Sequence, residues 1–311
     1  MKLTVTLLCL GCLLTTTVAN GQHYSDYHQQ FVDEHIYEGM PSYDNIYIRQ
    51  AYILSYNHNH RIANWVAYHI GLDYTQTIPR YNIFAQFRTD WSIPNPVFDH
   101  EYDGLYDGGS SYARGHLAPF NISGGDRDGD GLLGVKDTNE DGRITKDDMV
   151  GRDRSEYIGD ADEITRVYQI NQLSNVVPQD HDGFNGGAGI WRDLERYIQG
   201  TIVEERGKEV WVMAGPVLGR GEMEKVGPNK DITVPPMFFK IVVLEGENDL
   251  PLVLAFLLPH HKEPHGEIDD YLVSVDIIES MTGLDFFREL DNATEDSVEA
   301  TDTWINWNTV N

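Results

Sequence analysis

Tyr112-Ala113-Arg114-Gly115-His116-Leu117-Ala118-Pro119 and Asn171-Gln172-Leu173-Ser174-Asn175-Val176-Val177-Pro178-Gln179 are the two stretches on which the fold turns, and an aspartate-rich segment separates them. Outward from them, Asn64 to Ile70, Glu209 to Ala214, Met237 to Leu244 and Leu252 to Leu258 are rich in Val, Ile, Phe, Tyr or Trp. Each is bounded by Gly, Pro or acidic turns, which predicts strands. Trp191, Leu194, Ile198 and Ile202 recur at three- and four-residue spacing and predict a helix from about Gly189 to Ile202. A second helix is expected to begin near Ser274, with Val275, Ile278 and Met281 turned inward and Gly283 as its stop. The long separations between strands give a mixed α+β class. Residues 22–43 read as a polar lead, 44–290 as the main domain interrupted by an insertion over 121–150, and 291–311 as an acidic tail in which Trp304 and Trp307 are the residues able to reach the core.

The 311 residues carry 50 Asp plus Glu against 23 Lys plus Arg, a formal charge of −27. That excludes binding to polyanions by bulk electrostatic attraction, so any nucleic-acid chemistry has to be local. Residues 1–21 show Lys2, an apolar run from Leu3 to Leu14 and small or polar residues up to Gly21, the layout of a secretory signal peptide with cleavage near Ala19. Cleavage takes the charge from −27 to −28 by removing Lys2. Cys9 and Cys12 leave with that segment, so a mature, extracellular chain has no disulfide, no thiol chemistry and no cysteine-bound zinc. No later stretch approaches the roughly 20 apolar residues of a membrane helix. Asn121-Ile122-Ser123 and Asn292-Ala293-Thr294 are glycosylation sequons.

The separating segment, Gly124 to Asp148, is dense in Asp and Gly. Asp126, Asp128, Asp130, Gly131 and Asp137 fit positions 1, 3, 5, 6 and 12 of a calcium loop, with Leu133 at the apolar position 8. Asp137, Asn139, Asp141, Gly142, Ile144 and Asp148 fill the same positions a second time. Because Asp137 ends one loop and opens the next, no exiting helix fits between them, and the segment resembles compact, dockerin-like tandem loops. Without an ion, Asp126, Asp128, Asp130, Asp137, Glu140, Asp141, Asp147 and Asp148 repel against only Arg127, Lys136, Arg143 and Lys146. Ca2+ is therefore expected here in a structural role.

The two opening blocks are joined by Asn185, Trp191, Leu194 and Glu195, by Ala63 to Tyr68, by Val210 to Pro216 and by Val234 to Lys240. In this order, over about Tyr52 to Phe287, the chain resembles the DNA/RNA non-specific endonucleases. The resemblance implies a ββα-metal fold with a central antiparallel sheet flanked by helices, and hydrolysis of DNA and RNA. It implies His116 as general base, Asn185 as the protein ligand of one hydrated Mg2+ (with Mn2+ as the alternative ion) and Glu195 as a carboxylate orienting the metal's waters. Arg114 would meet the phosphate. These roles suit the chemistry, since imidazole titrates near neutrality and a forked guanidinium matches phosphate oxygens. Asn171 and Asn175 read equally as loop caps or as supports of the metal site. The family often dimerises, so a homodimer is allowed, and no membrane partner is expected.

Three departures stand out. Ala113 replaces the Asp that usually precedes Arg-Gly-His. Asn185 to Trp191 is two residues longer than the family motif, so either its glycines bulge before the helix or the ligand register has changed. Gln199 stands where an arginine is expected one turn after Glu195, with Arg192 and Arg196 as substitutes. A rival reading follows from the second departure: a catalytically inactive, calcium-dependent binding protein on a nuclease-like fold. His260, His261, Glu263, His265 and Glu267 have the residue types of a zinc site, but Pro264 interrupts any helix aligning them, so a solvated loop is expected. The acidity fits a saline or acidic habitat, or serves solubility and calcium ordering alone.

Overall fold

Runs of nine apolar residues without polar alternation need cover on both faces of their sheet. The computed structural model describes residues 24–74, 78–106, 111–246, 250–261, 266–301 and 303–310, so the signal-type segment with both cysteines lies outside the described residues, as do Glu263 and His265. Along the chain the strands are β1 (Ile46–Ile48), β2 (Ile53–Asn57), β3 (Ile62–Ile70), β4 (Tyr112–His116), β5 (Val176–Asp180), β6 (Val210–Val217), β7 (Lys225–Val226), β8 (Ile232–Thr233), β9 (Met237–Glu245), β10 (Pro251–Pro259) and β11 (Leu272–Val273). The helices are α1 (Asp26–His35), α2 (Arg154–Tyr157), α3 (Ala161–Ile170), α4 (Ile190–Arg196), α5 (Val275–Thr282), α6 (Asn292–Glu299) and α7 (Thr303–Val310). Among the described residues no helix is long and apolar enough to cross a membrane.

Seven strands form one sheet in the order β1-β2-β3-β6-β9-β10-β11, every pair antiparallel. Successive residues of a strand point to opposite faces, and here both faces are covered. Val66, Val212 and Val242 belong to a core shared with Trp191 and Leu194 of α4. Trp65, Met213 and Ile241 belong to a second core with Val275 and Ile278 of α5 and Phe286. The expected α+β class with an antiparallel sheet between helices is what forms, and the four strand readings correspond to β3, β6, β9 and β10.

Details differ from the sequence reading where it relied on local pattern. The helix beginning after Gly189 is α-helical only to Arg196 and widens into a π-helical stretch over Tyr197–Glu205. Met281 is 43% exposed rather than inward. Two steps of three residues rotate a helix back by about 120° from Val275, which carries Met281 off the buried stripe. The polar lead contains α1, whose Phe31 and His35 are buried. His35 Nε2 donates to Gln50 O at 2.9 Å while Nδ1 accepts from the His69 N–H at 3.2 Å. Burial, then the nearby Arg127, hold His35 well below the usual histidine range. The acidic C-terminal stretch is also helical, and Trp307 packs 4.9 Å from Tyr197 and 6.2 Å from Phe256. Trp304 is exposed.

The insertion is docked rather than free. Arg127 is enclosed, lies 3.8 Å over the Tyr74 ring, pairs with Glu34 at 3.3 Å and donates to Ile122 O. Val135 bridges to Ile158, and Met149 is buried. Gly131 and Gly142 have φ of 84° and 82°, the left-handed conformation that the sharp turn in each aspartate loop requires.

Candidate active site

Strands β4 and β5 pair apart from the main sheet, with Tyr112 opposite Asp180, Arg114 opposite Pro178 and His116 opposite Val176. After β5 the chain makes a π-helical turn, His181–Asn185, and enters α4. This ββα unit brings His116, Arg114, Asn185 and Glu195 to the wall of one cleft of about 440 Å³.

His116 is buried and stacks on Phe87, ring centres 5.0 Å apart at 27°. Its Nε2 lies 3.1 Å from Asn171 Oδ1, and Asn171 Nδ2 donates to Phe84 O at 2.9 Å. With the amide so oriented its oxygen accepts, so His116 carries the proton on Nε2 and presents a bare Nδ1. Burial chiefly, then the Arg80 charge, push the ring down to about 3, against the upward pull of the Asn171 bond. The imidazole is therefore neutral at neutral pH, with Nδ1 as its free acceptor. Asn175 does something else: it accepts from Ala118 N and donates to Ala118 O, both at 2.8 Å, and donates to Ile170 O at 2.9 Å. Of the two asparagines, Asn171 positions the histidine and Asn175 clamps the loop behind it.

Asn185 Nδ2 donates to Gln179 Oε1 at 2.6 Å, which leaves its amide oxygen for another partner. Gln179 reaches it by crossing Gly115, where an added Cβ would lie 1.9 Å from Gln179 Oε1. The extra glycines form a bulge: a Cβ at Gly186 would meet His181 O at 1.9 Å and one at Gly189 would meet the Phe184 backbone at 2.2 Å. The added length is absorbed before α4, and Asn185 stays in the cleft with His116 and Glu195. That removes the reason for expecting an inactive relative.

Glu195 is 7% exposed, between Lys240 Nζ and Arg192 Nη1, each at 3.9 Å. Burial raises its carboxyl above the usual range, with Lys240 and Arg192 pulling the other way. Lys240, fully buried in β9, lies 3.8 Å over the Trp191 ring, and burial brings it down to about 8 while Glu195 opposes the fall. The sequence reading quoted Lys240 without giving it a role. Its signal was a lysine inside a nine-residue apolar strand.

Arg114 is held at 2.8 Å from Asp99 Oδ1 and 3.3 Å from Asp103 Oδ1, its guanidinium 5.6 Å over Tyr102. Arg192 lines the cleft, whereas Arg196 is turned to Asp193 at 3.0 Å and Gly187 O at 2.9 Å. Of the two candidates for the missing arginine, Arg192 is the one in the cleft, while Gln199 bonds to Asn121 and Glu204. Arg80 also lines the cleft, 4.9 Å over Phe120. It is a residue the sequence reading missed, because it sits in a loop with no pattern. Arg80 and Arg192, together with Arg114 on its two aspartates, put three guanidinium groups in the lining of one cleft of an acidic chain.

The histidine-rich loop is not simply solvated. His260 packs edge-on to Phe184 at 4.9 Å, accepts from the Asp180 N–H at 2.7 Å and lies 2.7 Å from Pro235 O. Its apolar neighbours and backbone partners make it a half-buried histidine packed against the core, while His261 and Glu267 are exposed.

The sequence profile of the DNA/RNA non-specific endonucleases matches residues 31–130 and 160–293, stepping over most of the insertion. The chain belongs to that family, and its class is that of an endonuclease. It is 28% identical to a nuclease of Nostoc sp. over 81% of this chain and 77% of the relative. It is 26% identical to a nuclease of Serratia marcescens over 81% and 79%, and 24% identical to mitochondrial endonuclease G of Caenorhabditis elegans over 81% and 71%. A chain in the crystal structure of the EndoG/EndoGI complex shares the fold, with a TM-score of 0.61 at 19% identity over 91% of this chain and all of that one.

Proposed function

We propose that the protein is a secreted, Mg2+-dependent endonuclease that hydrolyses phosphodiester bonds of both DNA and RNA. One observation carries the reading: a neutral buried histidine, an asparagine with its amide oxygen unspent and a buried glutamate share a cleft with three arginines. The donor set fits a hydrated hard cation, because Asn185 and Glu195 offer oxygen and the two cations flanking Glu195 stand 3.9 Å off, beyond hydrogen-bond distance. What such an ion supplies when bound is positive charge beside the leaving 3′ oxygen and a more acidic water.

The chain's own residues do the rest. His116 Nδ1 takes the proton of the attacking water, Asn171 holding the ring in the required tautomer. Arg114 and Arg192 meet the phosphate, and Arg80 adds its charge from the Phe120 side. Contacts that end on phosphate and metal read no base edge, which accounts for cutting without sequence preference. The signal-type segment supports secretion, and the paired aspartate loops support structural Ca2+.

The test is cleavage of supercoiled plasmid and of RNA by the mature chain with Mg2+, with Ca2+ alone and with chelator, beside His116→Ala. The reading expects both substrates to be cut only by wild type in Mg2+. A folded wild type inert on both would sink it.

A further inference from the structure

Helix α3 begins against the first aspartate loop of the insertion, and its acidic first turn does not play the ordinary capping role. Asp160 caps the helix, Oδ1 accepting from Asp162 N at 3.0 Å. Glu163 stands three residues on, where a glutamate usually reaches back to the N–H of the cap residue. Here Asp160 N donates to Leu133 O at 3.1 Å instead. Glu163 Oε1 accepts from the Arg127 N–H at 3.1 Å and from Arg166 Nη1 at 2.5 Å. Glu163 Oε2 and Asp160 Oδ2 are left enclosed, without a hydrogen-bond partner among the described residues, and Glu163 is wholly buried.

Both carboxylates share a neighbour. Oxygens of Asp128, Asp160 and Glu163 lie within 4.8 Å of one another, and so do those of Asp126, Asp128 and Asp130. Five carboxylates therefore meet around Asp128. A buried carboxylate oxygen with no donor is costly, and like charges gathered this closely repel strongly, so one dication relieves both. All the ligands are hard oxygens on a flexible loop, the donor set of Ca2+ rather than of the strictly octahedral, water-keeping Mg2+. Asp137, the loop's own twelfth residue, is engaged elsewhere. Its Oδ1 accepts from Asp141 N at 3.2 Å and its Oδ2 from Gly142 N at 2.6 Å, which opens the second loop.

We propose that Ca2+ binds between the Asp126–Asp130 loop and the first turn of α3, with Asp160 and Glu163 taking the place that the loop pattern reserves for Asp137. The ion joins the insertion to a helix that ends on Asn171, the residue 3.1 Å from His116 Nε2. Ca2+ thereby fixes the helix whose far end positions the histidine. The site deepens the calcium reading of the insertion, and only its effect on catalysis rests on the nuclease reading.

The test is calorimetric titration of the mature chain with Ca2+ in a Mg2+ background, for wild type, Glu163→Gln, Asp160→Asn and Asp137→Asn, each first shown to be folded by circular dichroism. Glu163→Gln and Asp160→Asn are expected to weaken this site at least tenfold and to shrink the rise of Tm with Ca2+, while Asp137→Asn leaves it. Removing Ca2+ from wild type with a Ca2+-selective chelator in excess Mg2+ is expected to lower kcat several-fold at little-changed KM. A wild type that binds no Ca2+ overturns the proposal, as does a site lost in Asp137→Asn and kept in the other two. A kcat indifferent to Ca2+ overturns the link to Asn171, and a chain inert on nucleic acid with the binding pattern intact breaks the nuclease reading alone.

Discussion

The cleft and the insertion both concentrate ionisable groups, and they hold them by opposite means. In the cleft, His116 leans on Asn171, Asn185 on Gln179, and Glu195 sits between two cations. The fold brings Asn171 to His116 and Lys240 to Glu195 from distant parts of the chain, while the turn between β5 and α4 sets Asn185 against Gln179. In the insertion, Asp126 accepts from Gly129 and Gly131, Asp130 from Leu132, and Asp141 from Arg143, so the carboxylates are tied only to their own loops. The first arrangement is held by protein partners alone. The second leaves its net charge for an ion to neutralise.

The sharpest way to break the contrast is to remove the base. His116→Ala should cost about 10²–10⁴-fold in kcat, with the circular dichroism spectrum retained. Next comes Gly115→Ala, whose Cβ displaces Gln179 and frees Asn185; a loss on the order of 10²-fold is expected, and a rate near wild type would show that the Gln179 bond is idle. Asn171→Ala should lower kcat by about tenfold or more with little change in KM, whereas Asn175→Ala should mainly lower Tm.

Three enclosed histidines, His35 and His116 buried and His260 half-buried, make a pH prediction. His35, His116 and His260 all have folded values below the usual histidine range, burial being the first cause in each. The unfolded chain then binds protons that the folded chain refuses, so their contribution is intact above about pH 6.5 and is lost as pH falls below it. Stability should therefore fall as pH drops below that point, and a urea midpoint unchanged from pH 7 to pH 5 would contradict it. The smallest effect is expected from Lys240→Met, which withdraws one of the two cations that flank Glu195 at 3.9 Å. It should move the acid limb of the pH–rate profile upward, since Lys240 opposes the rise that burial imposes on the Glu195 carboxyl.

The parts of the molecule that could be read from the sequence were those carried by contiguous pattern. Apolar runs gave β3, β6, β9 and β10, and the spacing of Trp191, Leu194 and Ile198 gave α4. His116, Arg114, Asn185 and Glu195 were singled out through a family resemblance that spans several blocks, and the fold brings them to one cleft. Gln179, Arg80 and Lys240 were not, because each acts across a register or a fold contact that spacing along the chain does not encode. His260 was misread for the same reason: its partners Phe184, Asp180 and Pro235 come from two other segments. Asp160 and Glu163 lie outside the aspartate pattern, and only the packing of α3 brings them to it.

The family profile stops at residue 293, yet α7 lies beyond it. Thr303 Oγ1 donates to Val273 O at 2.9 Å and Asn306 Nδ2 to Val253 O at 2.8 Å, so this last helix covers the outer strands of the sheet. An uncovered edge strand invites pairing with another chain. Trimming the protein to its relatives' common span would therefore trade away colloidal behaviour first, giving self-association at concentrations where the whole chain stays dispersed. It would also bare Tyr197, directly behind the helix that carries Glu195.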